Sequence, residues 1–354
     1  MPRKLTTILC LLLAINALSQ TTVTNKKERW PTAELRFEQL LVIGDEETGD
    51  DSFLVWPNTV RTDAEGNIYV CDWKDFGVKV YTPDGRFLRK IGRKGQGPGE
   101  LMEPEAMEII ADSLLCVMDD LTVQSKLNIF DLQGKFITSF TVTDFGINEI
   151  KWCPWSNELY LTRQAATAGM RAALKRSMDF SIGIYTPEGE AVKRFALPRG
   201  CGTIETLDHY ARNTFVAFPE KDRVLVAWSN PYVMTMYDHR QEPLHHVEGF
   251  QQDFGRPAVE KLQARDRTVS MLVENSQVYG LFTLPDGKIL VAVCGEEHRY
   301  YDICNPDGVL LKRFPRQRKE VLKHVDRKGN WYTVSGIDDV PVVTKYRVEV
   351  VGGE

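Results

Sequence analysis

A glycine-centred turn recurs along this chain at intervals near fifty residues, and no other feature restricts the fold as much. One form is seen in Tyr81-Thr-Pro-Asp-Gly85-Arg-Phe87, Phe130-Asp-Leu-Gln-Gly134-Lys-Phe136, Tyr185-Thr-Pro-Glu-Gly189-Glu-Ala-Val192 and Cys304-Asn-Pro-Asp-Gly308-Val-Leu310. Tyr237-Asp-His-Arg-Gln241-Glu-Pro-Leu244 is a degenerate copy with Gln241 in place of the glycine. The second form puts an acidic turn and a glycine before an alternating strand, at Asp63 to Val70, Pro285 to Val291 and Asp326 to Tyr332. Proline presets φ, aspartate bonds back to its own backbone, and glycine accepts positive φ, so these are hairpin turns. The flanking residues alternate apolar and polar, as strands with one buried face do.

Successive copies of the first turn, at positions 85, 134, 189, 241 and 308, lie 49, 55, 52 and 67 residues apart. Several short strands per period of about fifty is the pattern of propeller blades. The expected fold is all-β, a six-bladed β-propeller. Its blades are read at about 57–101, 102–143, 144–202, 203–255, 256–315 and 316–350. The last copy is one strand short, and a closed ring cannot leave that edge unpaired. Residues 35–43 (Leu35-Arg-Phe-Glu-Gln-Leu-Leu-Val-Ile43) precede the first repeat, so they are expected to supply the missing strand. Two stretches depart from strand character: 163–180, with Met170, Leu174 and Met178 on one helical face and Arg171, Lys175 and Arg176 opposite, and 257–272, which reads as a short helix.

Residues 1–19 read as a signal peptide: Arg3 and Lys4, an apolar run to Leu18, then small residues at a cleavage site near Ser19. The folded unit is then 20–354. A run this short does not span a bilayer, and no second apolar stretch of about 18 residues follows. The expected location is secreted or periplasmic, with no membrane span. Lys+Arg 44 against Asp+Glu 49, a net charge of −5, argues against a nucleic-acid partner. The six cysteines beyond the signal form no CxxC or Cys/His spacing, so no zinc site is indicated. Export would permit disulfides, but Cys71, Cys116 and Cys294 lie in apolar runs that suit buried thiols.

The stretch Ile91-Gly-Arg-Lys-Gly95-Gln-Gly-Pro-Gly99-Glu-Leu-Met-Glu-Pro104, with Gly66 to Asp72 and Tyr81 to Phe87, resembles the exported six-bladed β-propeller proteins of NHL/TolB-like type found in Bacteroidetes-like bacteria. The resemblance implies the same fold, with the glycine-rich stretch linking the first two blades. It implies no particular reaction. The stretch itself matches neither GxGxxG nor GxxxxGK[ST], and Pro98 removes an amide that a phosphate nest would need.

For chemistry, the histidines do not recur at one blade position, though His209 and His324 fall nearest to inner strands. Asp72 and Asp119 close second strands and read as residues that hold turns. No GxSxG elbow occurs. The expected function is a binding or scaffolding module for a glycan, peptide or envelope protein, through the face carrying the loops between second and third strands. Its ligand contacts are read as Trp73, Lys74, Arg163, Arg171, Trp228, Tyr232, His298 and Arg299, with inter-blade packing the competing role for Trp73 and Trp228. No cofactor and no catalytic residue are assigned. The alternative is a lyase- or lactonase-like enzyme with calcium or zinc on the axis.

Overall fold

The computed structural model describes residues 21–25, 27–44, 52–121, 124–142, 147–163, 180–196, 214–228, 232–248, 277–294, 299–316, 320–336 and 340–352. Their strands begin with β1 (Thr21–Thr24) and β2 (Glu34–Ile43). The first blade holds β3 (Pro57–Thr62), β4 (Ile68–Asp72), β5 (Gly77–Tyr81) and β6 (Phe87–Ile91), and the second β7 (Pro104–Ile110), β8 (Leu114–Leu121), β9 (Gln124–Asp131) and β10 (Phe136–Val142). The third holds β11 (Ile147–Cys153), β12 (Glu158–Arg163), β13 (Ile182–Tyr185) and β14 (Ala191–Phe195). The fourth holds β15 (Thr214–Ala217), β16 (Arg223–Trp228), β17 (Val233–Asp238) and β18 (Pro243–Glu248). The fifth holds β19 (Gln277–Thr283), β20 (Ile289–Cys294), β21 (Tyr300–Cys304) and β22 (Leu310–Pro315). The sixth holds β23 (Val321–Val325), β24 (Trp331–Ser335) and β25 (Val342–Val351).

Each blade is an antiparallel meander, and its first strand touches the first strands of both neighbours. The chain of contacts runs β3–β7–β11–β15–β19–β23 and returns to β3, which closes the circle. The two stretches read from sequence as helical, 163–180 and 257–272, lie mostly or wholly outside the described residues.

The ring closes with residues 35–43 as the expected donor. β2 pairs antiparallel with β25, from Glu34 opposite Val351 to Ile43 opposite Val343, and becomes the outermost strand of the sixth blade. A second tie was not legible in sequence. β1 adds a parallel fifth strand to the outer edge of the fourth blade, Thr21 opposite His245 and Thr24 opposite Glu248. Between β1 and β2 the chain crosses the fifth blade. Asn25 bonds to Gly308 O and Leu310 N, the amides of Arg29 and Trp30 both donate to Leu311 O at 2.8 Å, and Glu28 receives Lys312 Nζ. One N-terminal strap therefore ties three blades together.

The fourth strand from the axis in every blade contains one extra residue relative to its inner neighbour: Leu88, Ile137, Val192, Leu244, Leu311 and Leu40. A bulge twists an edge and interrupts its row of free backbone groups, which discourages edge-to-edge association. This explains why Leu40, Ile137, Val192 and Leu244 are exposed apolar residues. They are spread around the circumference, one to a blade, and form no patch. In the fifth blade the strap covers the bulge, and Leu311 is buried.

The turn glycines do two jobs. Gly85, Gly134, Gly189 and Gly308 all have φ between 89° and 98° or, for Gly308, 83°. Each also lies against the fourth strand of the preceding blade, facing Leu41, Ile91, Phe140 and Val247 respectively. A Cβ would occupy space that the neighbouring blade fills. Gln241 holds positive φ without being glycine (59°), and its side-chain amide donates to His239 O at 2.8 Å.

Candidate functional site

A four-stranded meander has two ends, and the propeller has two faces accordingly. One face carries the hairpins joining first to second and third to fourth strands, here the turn face. The other carries the second-to-third loops and the connectors between blades, here the connector face.

On the connector face, two aspartates hold matching positions. Asp72 ends β4 and accepts Val55 N and Trp56 N at 2.8 Å, while Asp119 lies in β8 and accepts Met102 N and Glu103 N at 2.8 and 2.6 Å. Each orients the two residues that lead into the first strand of its own blade, before Pro57 and Pro104. Asp72 also lies 3.6 Å from Lys79 Nζ, and both side chains are buried. The glycine-rich connector closes on itself. Glu100 accepts the Gly97 amide at 2.9 Å and pairs with Arg93, and Leu101 N returns to Arg93 O. Those bonds hold the Glu100 carboxyl below its usual range, led by the Gly97 amide. An internal carboxylate thus takes the place where an external anion would have to sit.

Of the residues read from sequence as ligand contacts, Trp73 and Lys74 do share the connector face. Trp73 packs edge-on to Trp56 at 6.1 Å between centroids, and Lys74 Nζ lies 4.2 Å over the Trp56 ring. Arg299 is exposed on the same face, its carbonyl accepting Arg316 N. Trp228 and Tyr232 are placed otherwise. They are 2% and 0% exposed and belong to two inter-blade cores, because β16 and β17 are interior strands flanked by sheet on both sides. Arg163 ends β12, while Arg171 and His298 lie outside the described residues. The residues read as ligand contacts therefore do not converge on one described site.

The side chains that do converge lie on the axis, at the turn face. A cavity of about 280 Å³ is lined from all six blades, including Arg61, Glu108, Lys151, Trp155, Phe282 and His324. Arg61 donates from Nε to Glu108 at 2.9 Å and lies 3.9 Å from Glu149, which in turn pairs with Lys151 at 3.2 Å. Burial disfavours the Arg61 charge, but the two glutamates outweigh it and raise its pKa. Aromatic rings form the rim: Trp152 and Trp155 are partly exposed, and Trp155 meets Phe218 edge-on at 5.0 Å. His324 does reach the axis, as its inner-strand position suggested. Its Nε2 lies 2.9 Å from Thr62 Oγ1, and burial, then Arg61, Lys151 and Arg327, hold its pKa well below the usual imidazole range. It is therefore neutral at pH 7. Among the described residues no three His, Cys, Asp or Glu side chains come together as a metal site. Cys71, Cys116, Cys153 and Cys304 are buried free thiols, raised in pKa chiefly by burial.

These charged positions were missed in sequence because inner-strand register is not readable there. In five blades the first strand carries an extra residue opposite the second: Asn58, Glu105, Asn148, Tyr279 and Lys323. Each bulge shifts which residues face inward. A signal was nevertheless present, a lone charge inside an apolar strand, as in Thr59-Val-Arg61-Thr and Met107-Glu108-Ile-Ile.

Lys323 is such a bulge residue. Burial, with Arg61 nearby, lowers its pKa from 10.5 to about 8. Around pH 9 the unfolded chain holds this proton and the folded one does not. Stability should therefore rise between about pH 8 and pH 10, relative to a Lys323→Met variant. Paired urea titrations at pH 7.5 and 9.5 check this; parallel pH dependence in the two proteins would contradict it.

Residues 31–170 match a family described as 6-bladed beta-propeller. The chain is a six-bladed β-propeller. The match contains the glycine-rich connector and the turns on which the resemblance was read. Among solved structures, the propeller is similar to a protein from Bacteroides vulgatus assigned to the duf4221 family (TM-score 0.61, 12% identity, 91% of this chain and 99% of that one). It is also similar to a Bacteroides fragilis protein described as exported (TM-score 0.59, 12% identity, 93% and 99%). A PQQ-bound aldose sugar dehydrogenase from Streptomyces coelicolor matches as well (TM-score 0.58, 13% identity, 90% and 100%). At such identities the likeness is one of fold, and one fold carries unrelated functions. Among curated proteins, Protein brain tumor of Drosophila melanogaster is 22% identical over 87 residues, which are 25% of this chain and 8% of that protein's length. No described helix is long and apolar enough to cross a membrane.

Proposed function

We propose that this propeller is an exported binding module that receives a glycan or a peptide in the axial mouth of its turn face. The observation that carries the reading is the convergence of Arg61, Glu108, Lys151 and partly exposed tryptophans on one cavity from separate blades. Charges of both signs offer donors and acceptors, and the aromatic rim offers apolar faces; a polar ligand with an apolar side needs both. Since the charges are already paired with one another, they are preorganised, and a ligand exchanges water for fixed partners. Export is supported by the basic start and apolar run of residues 1–19 and by the likeness in fold to a Bacteroides protein described as exported.

The test begins with a thermal-shift screen of oligosaccharides and short peptides, followed by calorimetry on the hits. Trp155→Ala and Lys151→Gln are each expected to weaken binding about tenfold or more, on the order of 1.4 kcal/mol. Tm should move by no more than about 4 °C in at least the lysine variant, whose side chain is near the surface. Affinities unchanged in both variants would remove the axial mouth as the site.

A further inference from the structure

A larger cavity lies elsewhere, in the seam between the fifth and sixth blades where the ring is clasped. It has a volume of about 560 Å³ and runs between β22 and β2, with Phe37, Tyr301 and Phe314 among its walls. That volume is in the range that holds a small organic molecule. Four groups in its wall bear charge. Glu34 is exposed, and Lys312 and Glu320 are already engaged. Lys312 Nζ donates to Glu28 Oε2 at 2.8 Å and to Pro31 O at 2.9 Å. The two oxygens of Glu320 accept from Thr333 Oγ1 at 2.8 Å and Tyr346 OH at 2.9 Å.

The fourth is Arg316, which is 8% exposed. Its backbone amide is satisfied by Arg299 O, but neither Nε nor Nη1 has a hydrogen-bond acceptor among the described residues. The rings of Tyr279 and Tyr301 stand 5.9 and 5.8 Å from the guanidinium carbon. Those rings desolvate the cation and fix its position, yet supply no lone pair in the plane of its N–H groups. Burying a guanidinium with idle donors is strongly unfavourable, so such groups in native proteins have an acceptor. Here the described residues do not provide it, and a cavity adjoins the place where it belongs.

We propose that the seam cleft binds an organic carboxylate, with the carboxylate on Arg316 and an apolar body against Phe37, Tyr301 and Phe314. A planar guanidinium meets a carboxylate with two parallel hydrogen bonds, which selects the acid over its neutral amide. The carboxylate belongs either to a free small acid or to the C-terminus of a peptide, since both present the same group on an apolar side chain. This site is separate from the axial mouth and does not depend on the function proposed there.

The probes are 3-phenylpropanoate, 3-phenylpropanamide, and a hexapeptide ending in phenylalanine with either a free or an amidated C-terminus, titrated calorimetrically into the full-length protein. The acid form of at least one pair should bind at least tenfold more tightly than its amide, and the pair that responds identifies the source. Arg316→Met should abolish that preference while Trp155→Ala leaves it intact. Leu35→Trp, which fills the cleft and keeps Arg316, should weaken the acid at least tenfold and covers the case in which Arg316→Met fails to fold. Equal affinity for acid and amide, no binding by any acid at millimolar concentration, or an acid preference that survives Leu35→Trp would overturn the assignment.

Discussion

Asp72→Ala is expected to cost about 3 kcal/mol or more of folding free energy, the lower end of what breaking a buried ion pair costs. The side chain is fully buried, it accepts two backbone amides, and Lys79 beside it is 4% exposed at the side chain. Removing the carboxylate strands both amides and takes one of the two anions from a buried ammonium. The remaining anion, Asp75 at 3.0 Å, keeps the figure from the upper end, as does the Lys79 bond to Phe53 O. Asp119→Ala provides the control. It strands two amides of equivalent position but, among the described residues, has no ion pair with a lysine or arginine, so about 1–3 kcal/mol is expected. Guanidinium titrations of both variants separate the capping contribution from the electrostatic one. If Asp72→Ala proved no more damaging than Asp119→Ala, the buried Lys79 would not depend on Asp72. A Lys79→Met change added to Asp72→Ala should recover part of the loss, because a well-packed apolar side chain tolerates that site better than an orphaned cation.

The second large effect is expected at Gly189→Ala, about 2–4 kcal/mol. Positive φ at 97° costs an alanine about 1–2 kcal/mol, and overpacking adds about 1–3 kcal/mol. The added Cβ would stand 2.6 Å from Phe140 Cδ2 and 2.8 Å from its Cβ, in the neighbouring blade. Phe140 sits in an outer strand already paired with β9, so it cannot retreat without disturbing the second blade. Gly66→Ala separates the two terms. Its φ is 86°, but the nearest atoms are 3.6 Å away in Pro83, so only the conformational cost applies. Equal losses at both positions, measured by chemical denaturation, would show that the glycine repeat serves turn geometry alone and has no part in seating one blade on the next.

Much of the architecture was legible because hairpin turns are local. The Pro-Asp-Gly and Asp-x-x-Gly signals depend on φ preferences and on side chains bonding within four residues, as in Asp326 accepting the amides of Lys328 and Asn330. The closing strand was legible for another reason: the last sheet lacked an edge strand, and the apolar-rich segment 35–43 ahead of the first repeat was left to supply it. β1 was not, since four residues reading Thr-Thr-Val-Thr carry no periodicity worth the name, and their partner lies more than 220 residues away. The site fared worse than the fold. Trp228 and Tyr232 stand near the ends of strands, where a loop-facing role is a fair reading, but the inter-blade cores take both. Trp73 and Lys74 are on the expected face, stacked about Trp56. The axial charges escaped because a single bulge residue in an inner strand reverses which side chains point inward.

What the amino-acid order determined alone was the strand count per repeat, the turns, and the need for a donor strand to finish the last sheet. Each follows from short-range stereochemistry and from the rule that backbone groups in a sheet interior must be paired. The tertiary structure decided which side chains meet: Arg61 with Glu108 across two blades, Gly189 with Phe140, and Arg316 left facing a cavity beside the strap. Those meetings depend on inter-blade register and on where bulges fall, both set by packing between segments distant in sequence, and no local preference encodes them.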